Sequence, residues 1–159
     1  MHIRMAELQD TAALARLWKT VFNDEDSFII KFFKDRFRPY NAVVAEADGK
    51  IVSALHIVQC EMLTCEGIYP ASYVIGASTA PAYRGQGIMS EILQYCKNLS
   101  RNRCIALFPA VRGFYEKQGF KTAAYVNKYS LNRNYIERID AAEPSVSELN
   151  DAYNTMIMQ

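Results

Sequence analysis

The chain has 159 residues, enough for one domain with a substantial core and too few for two ordinary ones. Half of the residues are hydrophobic and 22% are charged, the balance of a folded globular chain rather than a disordered one. A formal net charge of +1 argues against nucleic acid as the main partner, and the apolar runs fall far short of the ~20 residues of a membrane helix.

His2 to Glu7 reads as a short entering strand. The opening MHIRMAELQD carries no apolar core of a signal peptide, so a cytoplasmic protein is expected. Asp10 is placed to cap a helix in which Leu14, Leu17, Trp18, Val21 and Phe22 share one face. A second helix, starting near Asp24 or Asp26, carries Ile29, Phe32, Phe33 and Phe37 and is ended by Pro39. These aromatics keep helical spacing and are read as core.

Asn41 to Ala47, Ile51 to Thr64 and Ile68 to Thr79 then read as strands. Asp48-Gly49 and Glu66-Gly67 mark the reversals between them, which predicts an antiparallel meander. After it the period changes. Ile88, Ile92, Tyr95, Cys96 and Leu99 lie at helical spacing with polar residues between them. Arg103 to Phe108 reads as a strand closed by Pro109, Val111 to Gln118 as a short helix stopped by Gly119, and Phe120 to Leu131 as a further strand.

Asn132 to Pro144 is polar, and Val146, Leu149, Tyr153, Met156 and Ile157 then form another helical stripe. The domain reading is therefore one unit over 1–131, followed by a polar connector and an amphipathic helix over 132–159. Such an apolar stripe needs a cover, so either a homodimer or a further C-terminal domain is expected. Cys60, Cys65, Cys96 and Cys104 form no C-x-x-C pair, and only His2 and His56 are present to complete a metal site. Buried thiols, with neither metal nor disulfide, are expected.

The run Arg84-Gly85-Gln86-Gly87-Ile88-Met89 stands between a strand and a helix. It is open to two readings, a plain helix-starting turn or an anion cradle. Its N–H groups lack helical partners, its glycines admit a ligand without a Cβ in the way, and the helix dipole favours phosphate. Arg84 adds a fixed charge. A P-loop would need G-x-x-x-x-G-K-[ST], and a dinucleotide turn would need glycine at Ser90 and a βαβ unit.

The spacing instead resembles the acyl-CoA turn of the GNAT family of N-acetyltransferases: Gln or Arg, two residues, Gly, one residue, then Gly or Ala. Arg84, Gly87 and Met89 occupy those positions, and Met89 departs from the pattern in a way that narrows a pyrophosphate seat while leaving its N–H available. Ala77-Ser78-Thr79 followed by Pro81 resembles the end of the family's fourth strand. Gly113-Phe114-Tyr115-Glu116-Lys117-Gln118-Gly119-Phe120 is similar to its F-Y-E-K-x-G-F segment. The resemblance covers 1–131 and is most specific from 72 to 120. Within the family, the long hairpin and the words YRGQGIMSEIL and FPAVRGFYEKQGF look most like the Eis-type branch.

The resemblance implies an α/β fold of the α+β type. A mixed, mostly antiparallel central sheet would be flanked by helices and splayed into a cleft between its fourth and fifth strands. It implies an acetyl-CoA-dependent N-acetyltransferase that passes acetyl directly to a primary amine, on a small molecule or a peptide, within a ternary complex. Acetyl-CoA would lie on Ala77, Ser78, Thr79, Arg84, Gly85, Gln86, Gly87, Ile88 and Met89. Tyr115 would serve as general acid toward the CoA thiolate, since a phenol stays protonated at neutral pH.

Many relatives carry a carboxylate base on the fourth strand, but Ser72 to Ser78 contains none. Glu46, Glu61 and His56 are alternatives, as are a water chain or an amine that arrives neutral. Cys104 as an acyl carrier is disfavoured by its apolar strand. A non-catalytic CoA-binding module with a regulatory or assembly role is the second function class, and a dinucleotide-binding domain a distant third.

Overall fold

Alternation of apolar residues along the strands sorts them onto two faces of one sheet. In the computed structural model, which describes residues 1–100, 104–111 and 113–125, five strands lie in chain order. They are β1 (His2–Met5), β2 (Ala42–Ala47), β3 (Lys50–Thr64), β4 (Gly67–Thr79) and β5 (Cys104–Leu107). The first three pairings are antiparallel and β4–β5 is parallel. A parallel pair needs a crossover, and α3 (Ile88–Leu99) lies on that connection. The mixed, mostly antiparallel sheet expected from the sequence is present.

Ala42, Val44 and Ala54 pack with Leu14, Leu17 and Trp18 of α1 (Thr11–Phe22) and with Ile29, Phe32 and Phe33 of α2 (Asp26–Asp35). Val43, Ala45, Val52 and Leu55 pack with Ile88, Ile92, Leu93 and Cys96 of α3. Adjacent residues of β2 thus feed two separate cores, as period 2 requires.

Asp48 and Gly49 have φ of 50° and 70°, the two positive values a tight two-residue hairpin uses. The second reversal falls one residue earlier than expected. Thr64 pairs with Gly67, so Cys65-Glu66 make the loop. Asp10 sits at the helix start but does not cap α1. Its carboxylate instead accepts from Arg4 Nη1 at 2.7 Å and from the Glu7 N–H at 2.7 Å. The Arg4 hydrogen bond holds this carboxyl below its usual range.

The expected short helix contracts to α4 (Phe114–Lys117). Residues 121–125 carry no regular structure, and the remainder of the expected last strand lies outside the described residues. So does the stripe from Val146 to Ile157. The chain divides into units Met1–Lys121 and Thr122–Gln159, and every element above belongs to the first. No helix among the described residues is long and apolar enough to cross a membrane.

The expectation of buried thiols is corrected. Only Cys96 is buried, whereas Cys60, Cys65 and Cys104 are exposed. β2 stops at Ala42 opposite His56, so β3 and β4 run on as an arm that carries Cys60 and Cys65 beyond the core. Cys104 opens the edge strand β5.

His56 lies opposite Ala42 and Ile75 and is 2% exposed. The rings of Trp18, Phe32, Phe33 and Phe37 stand 5.2–5.8 Å from it. Its Nδ1 has no hydrogen-bond partner among the described residues. Burial pulls its pKa from 6.5 down to about 4, so the fold holds the ring neutral. A folded-state pKa below the unfolded one gives stability that is complete above pH 6.5 and is lost as pH falls toward 4. We expect acidification through this window to cost the protein on the order of 3 kcal/mol. His56→Leu should flatten that part of the curve in urea titrations at stepped pH. Parallel loss in both proteins would assign the effect elsewhere.

Candidate active site

The end of β4 departs from regular pairing at one glycine. Ala54 faces Ser78 but His56 faces Ile75, so Gly76 and Ala77 stand across from the single residue Leu55. Gly76 has φ +63°, and the strand bulges there. The position has no room for a side chain, since an added Cβ would lie 2.3 Å from Cζ3 of Trp18.

β5 pairs with β4 only from Ala71↔Cys104 to Val74↔Leu107. Past Val74 the edge of β4 away from β3 has no strand beside it among the described residues. The Ala80 N–H donates to Val52 O at 2.8 Å, toward β3. Alternation along the strand then turns the main-chain groups of Thr79 and Ala77 to the open edge. Ser53 secures this end. Its hydroxyl donates to Ser78 O at 2.9 Å, and with that proton used, the Thr79 hydroxyl donates to Ser53 Oγ at 2.8 Å.

The glycine turn follows directly. Gly85 and Gly87 have φ of 75° and 80°, and nothing lies within 4 Å of a Cβ built on either. Gly87 caps α3, and the first bonded amide is that of Glu91, which donates to Gly87 O at 3.2 Å. The N–H groups of residues 85 to 90 donate to no acceptor among the described residues. They are the free amides that a helix start offers an anion, with open space before them.

Arg84 Nε donates to Thr79 O at 3.1 Å, which ties the turn to the strand end. Gln86 Nε2 donates to Ala82 O at 3.2 Å. Ile88 is buried in the α3-side core. Met89, whose bulk raised the question of a narrowed seat, packs its half-buried side chain against that same core.

Ala77, Met89 and Tyr115 all pack against the α3-side cluster. Gly113, with φ +77°, starts the turn of α4 that carries Tyr115. The phenol ring meets Phe114 at 5.0 Å and Phe120 at 5.8 Å, both near perpendicular. The Phe120 N–H donates to Tyr115 O at 3.1 Å, which closes the segment on itself. Lys97 donates to Gln118 O and lies over the Phe120 ring, which joins the segment to α3. Burial raises the phenol's pKa above 10, so it keeps its proton throughout the neutral range.

The base candidates do not converge on this cleft. Glu46 is ion-paired to Arg4 at 3.0 Å, Glu61 is exposed on the hairpin arm, and His56 is enclosed by aromatic rings on the other face. What the sequence reading passed over is Gly76, with Trp18 beneath it. An isolated glycine inside a strand pattern was the available signal for a bulge.

The acetyltransferase (GNAT) domain family matches residues 2–123. No curated protein sequence matches the chain. Among solved structures, a transcriptional regulator from Bacillus halodurans C-125 superposes with TM-score 0.65 at 23% identity, over 82% of this chain and 99% of that one. A predicted acetyltransferase with acetyl-CoA from Clostridium acetobutylicum gives 0.64 at 22%, over 80% and 95%. A GCN5-related N-acetyltransferase from Anabaena variabilis gives 0.66 at 18%, over 73% of this chain and 30% of that one. At these identities the superpositions speak for the fold, whereas the match over 2–123 speaks for descent. The chain belongs to the GNAT acetyltransferase family, and is by that membership an acyltransferase.

Proposed function

We propose that the protein is an acetyl-CoA-dependent N-acetyltransferase that transfers acetyl directly to a primary amine of a small molecule or peptide. The observation that carries this is the row of undonated N–H groups at 85–90, with open space before Gly85 and Gly87. Those amides and the positive end of the α3 dipole suit a pyrophosphate. In this reading residues 85 to 89 hold the CoA phosphates, and Arg84 braces the turn from below. Ala77, Ser78 and Thr79 form the strand end beside the pantetheine arm, and the main-chain N–H groups of Ala77 and Thr79 polarise the acyl carbonyl as charge develops on it. Holding donor and acceptor in one cleft makes the attack effectively unimolecular. Tyr115 gives its proton to the departing thiolate.

With Glu46 paired to Arg4, Glu61 out on the hairpin arm and His56 enclosed on the other face, the acceptor enters as the neutral amine. The rise of kcat/KM with pH should therefore track the acceptor's own pKa. We further place the chain nearest the Eis-type branch, on its long β3–β4 hairpin. Residues 1–131 are assigned to the acetyltransferase unit and 132–159 to a connector and helix.

Thiol release from acetyl-CoA with a panel of primary amines tests the reading. Saturable, amine-dependent release supports it, whereas tight CoA binding without release under every amine would reduce the protein to a CoA-binding module. Gly87→Val should raise the KM for acetyl-CoA by ~10-fold or more, because a branched side chain strains φ +80° and projects into the open seat. An unchanged KM would move the phosphates off this turn.

A further inference from the structure

The bulge in β4 is formed by a glycine that lacks a Cβ of its own to fix it, yet it stands at a defined φ of +63°. The wall behind it is the six-membered ring of Trp18. Cζ3, Cη2 and Cε3 lie 2.3, 2.8 and 2.9 Å from where a Gly76 Cβ would be. That ring is itself held from two directions. Its Nε1–H donates to Asp24 Oδ2 at 2.8 Å, and Phe32 packs on it at 4.6 Å between centroids. Trp18 is 4% exposed, so the indole has little freedom to turn. Gly76 and Ala77 make the bulge opposite Leu55, while Trp18 and Asp24 belong to α1 and the loop after it.

We propose that Trp18, oriented by Asp24, is a positioning residue that sets the aim of the β4 main chain at Ala77 toward the acyl carbonyl. This rests on the proposed acetyltransferase reading. Neither side chain touches the reacting atoms. Each acts through Gly76, whose backbone relaxes once the ring behind it shrinks or turns. A donor displaced by about 1 Å is enough to cost ~10²-fold in rate.

The test uses Trp18→Leu and Asp24→Ala in the full chain. Four quantities are read: kcat, KM for acetyl-CoA, affinity for CoA (which lacks the acyl carbonyl), and the carbonyl stretch of bound 13C-acetyl-CoA. The expected result is a fall in kcat of about 10- to 100-fold for Trp18→Leu and about 3- to 10-fold for Asp24→Ala. CoA affinity should hold, and the carbonyl stretch should move toward its value in water. Asp24→Ala leaves no core cavity and carries the test if Trp18→Leu does not fold. A carbonyl stretch equal to that of the wild type would overturn the proposal, whatever happens to kcat. Wild-type protein that binds no CoA would overturn the acetyltransferase reading itself, a distinct outcome.

Discussion

Tyr115→Phe is expected to lower turnover by ~10²–10⁴-fold, the range of a lost general acid, while the affinity for acetyl-CoA stays near wild type. The substitution removes one oxygen and keeps the ring that meets Phe114 and Phe120, so the α4 segment should hold its place. The pH profile separates chemistry from packing. A general acid must be protonated, and burial raises this phenol above 10. Wild-type kcat should thus hold through neutral pH and decline only above about 10, and the decline should vanish in the Phe variant. The same shift favours the folded state up to about pH 10, and that contribution is lost as pH climbs through the raised value. Equal turnover in the two proteins would remove Tyr115 from the mechanism.

Gly76→Ala is expected to be the most damaging single methyl group in the described part of the chain. The left-handed backbone costs an alanine about 1–2 kcal/mol, and forcing a Cβ against the Trp18 ring adds roughly 1–3 kcal/mol of overpacking. Against a total stability of about 5–15 kcal/mol, that loss of roughly 2–5 kcal/mol should be plain in a urea midpoint. Ring and strand are both anchored, so neither can retreat cheaply. The folded fraction should also lose kcat, because the bulge can survive only by shifting the main chain beside Ala77. An unfolding free energy within about 0.5 kcal/mol of wild type would show that the bulge tolerates a side chain and that Trp18 does not confine it.

Much of the fold could be read in the sequence because it rests on local period. Apolar residues at helical spacing gave α1, α2 and α3, and Asp48-Gly49 gave the first hairpin, since each signal lies within a few residues of its consequence. The glycine turn was legible for the same reason, being a strand end, two glycines and a helix start in one short run. Features that depend on distant pairing were not. Trp18 of α1 meets Gly76 of β4 although the two are far apart in the chain, and nothing beside either residue announces it. Asp10 reads as a helix cap until Arg4 is seen to bind it. The cysteines read as core until β2 is seen to stop at Ala42, which leaves Cys60 and Cys65 on an arm past the sheet. His56 shows the reverse case. Named with Glu46 and Glu61 as a base on sequence, it stands among apolar residues of β3 and is enclosed by four rings, with Nδ1 unpartnered among the described residues.

Met89 illustrates how a departure from a family pattern is resolved by packing. A helix sends its side chains to one face or the other, and position 89 falls where the side chain joins the α3-side core. The N–H of the same residue remains on the side of the open turn. Bulk at this position is therefore compatible with a phosphate seat.

The decisive experiment is a crystal structure of the protein with bound acetyl-CoA. The pyrophosphate is expected within hydrogen-bond distance of the N–H groups of residues 85 to 89, the acyl carbonyl at the main chain of Ala77 to Thr79, and the Tyr115 hydroxyl at the thioester sulfur. Phosphates seated away from that turn, or a Tyr115 hydroxyl remote from the sulfur, would contradict that arrangement.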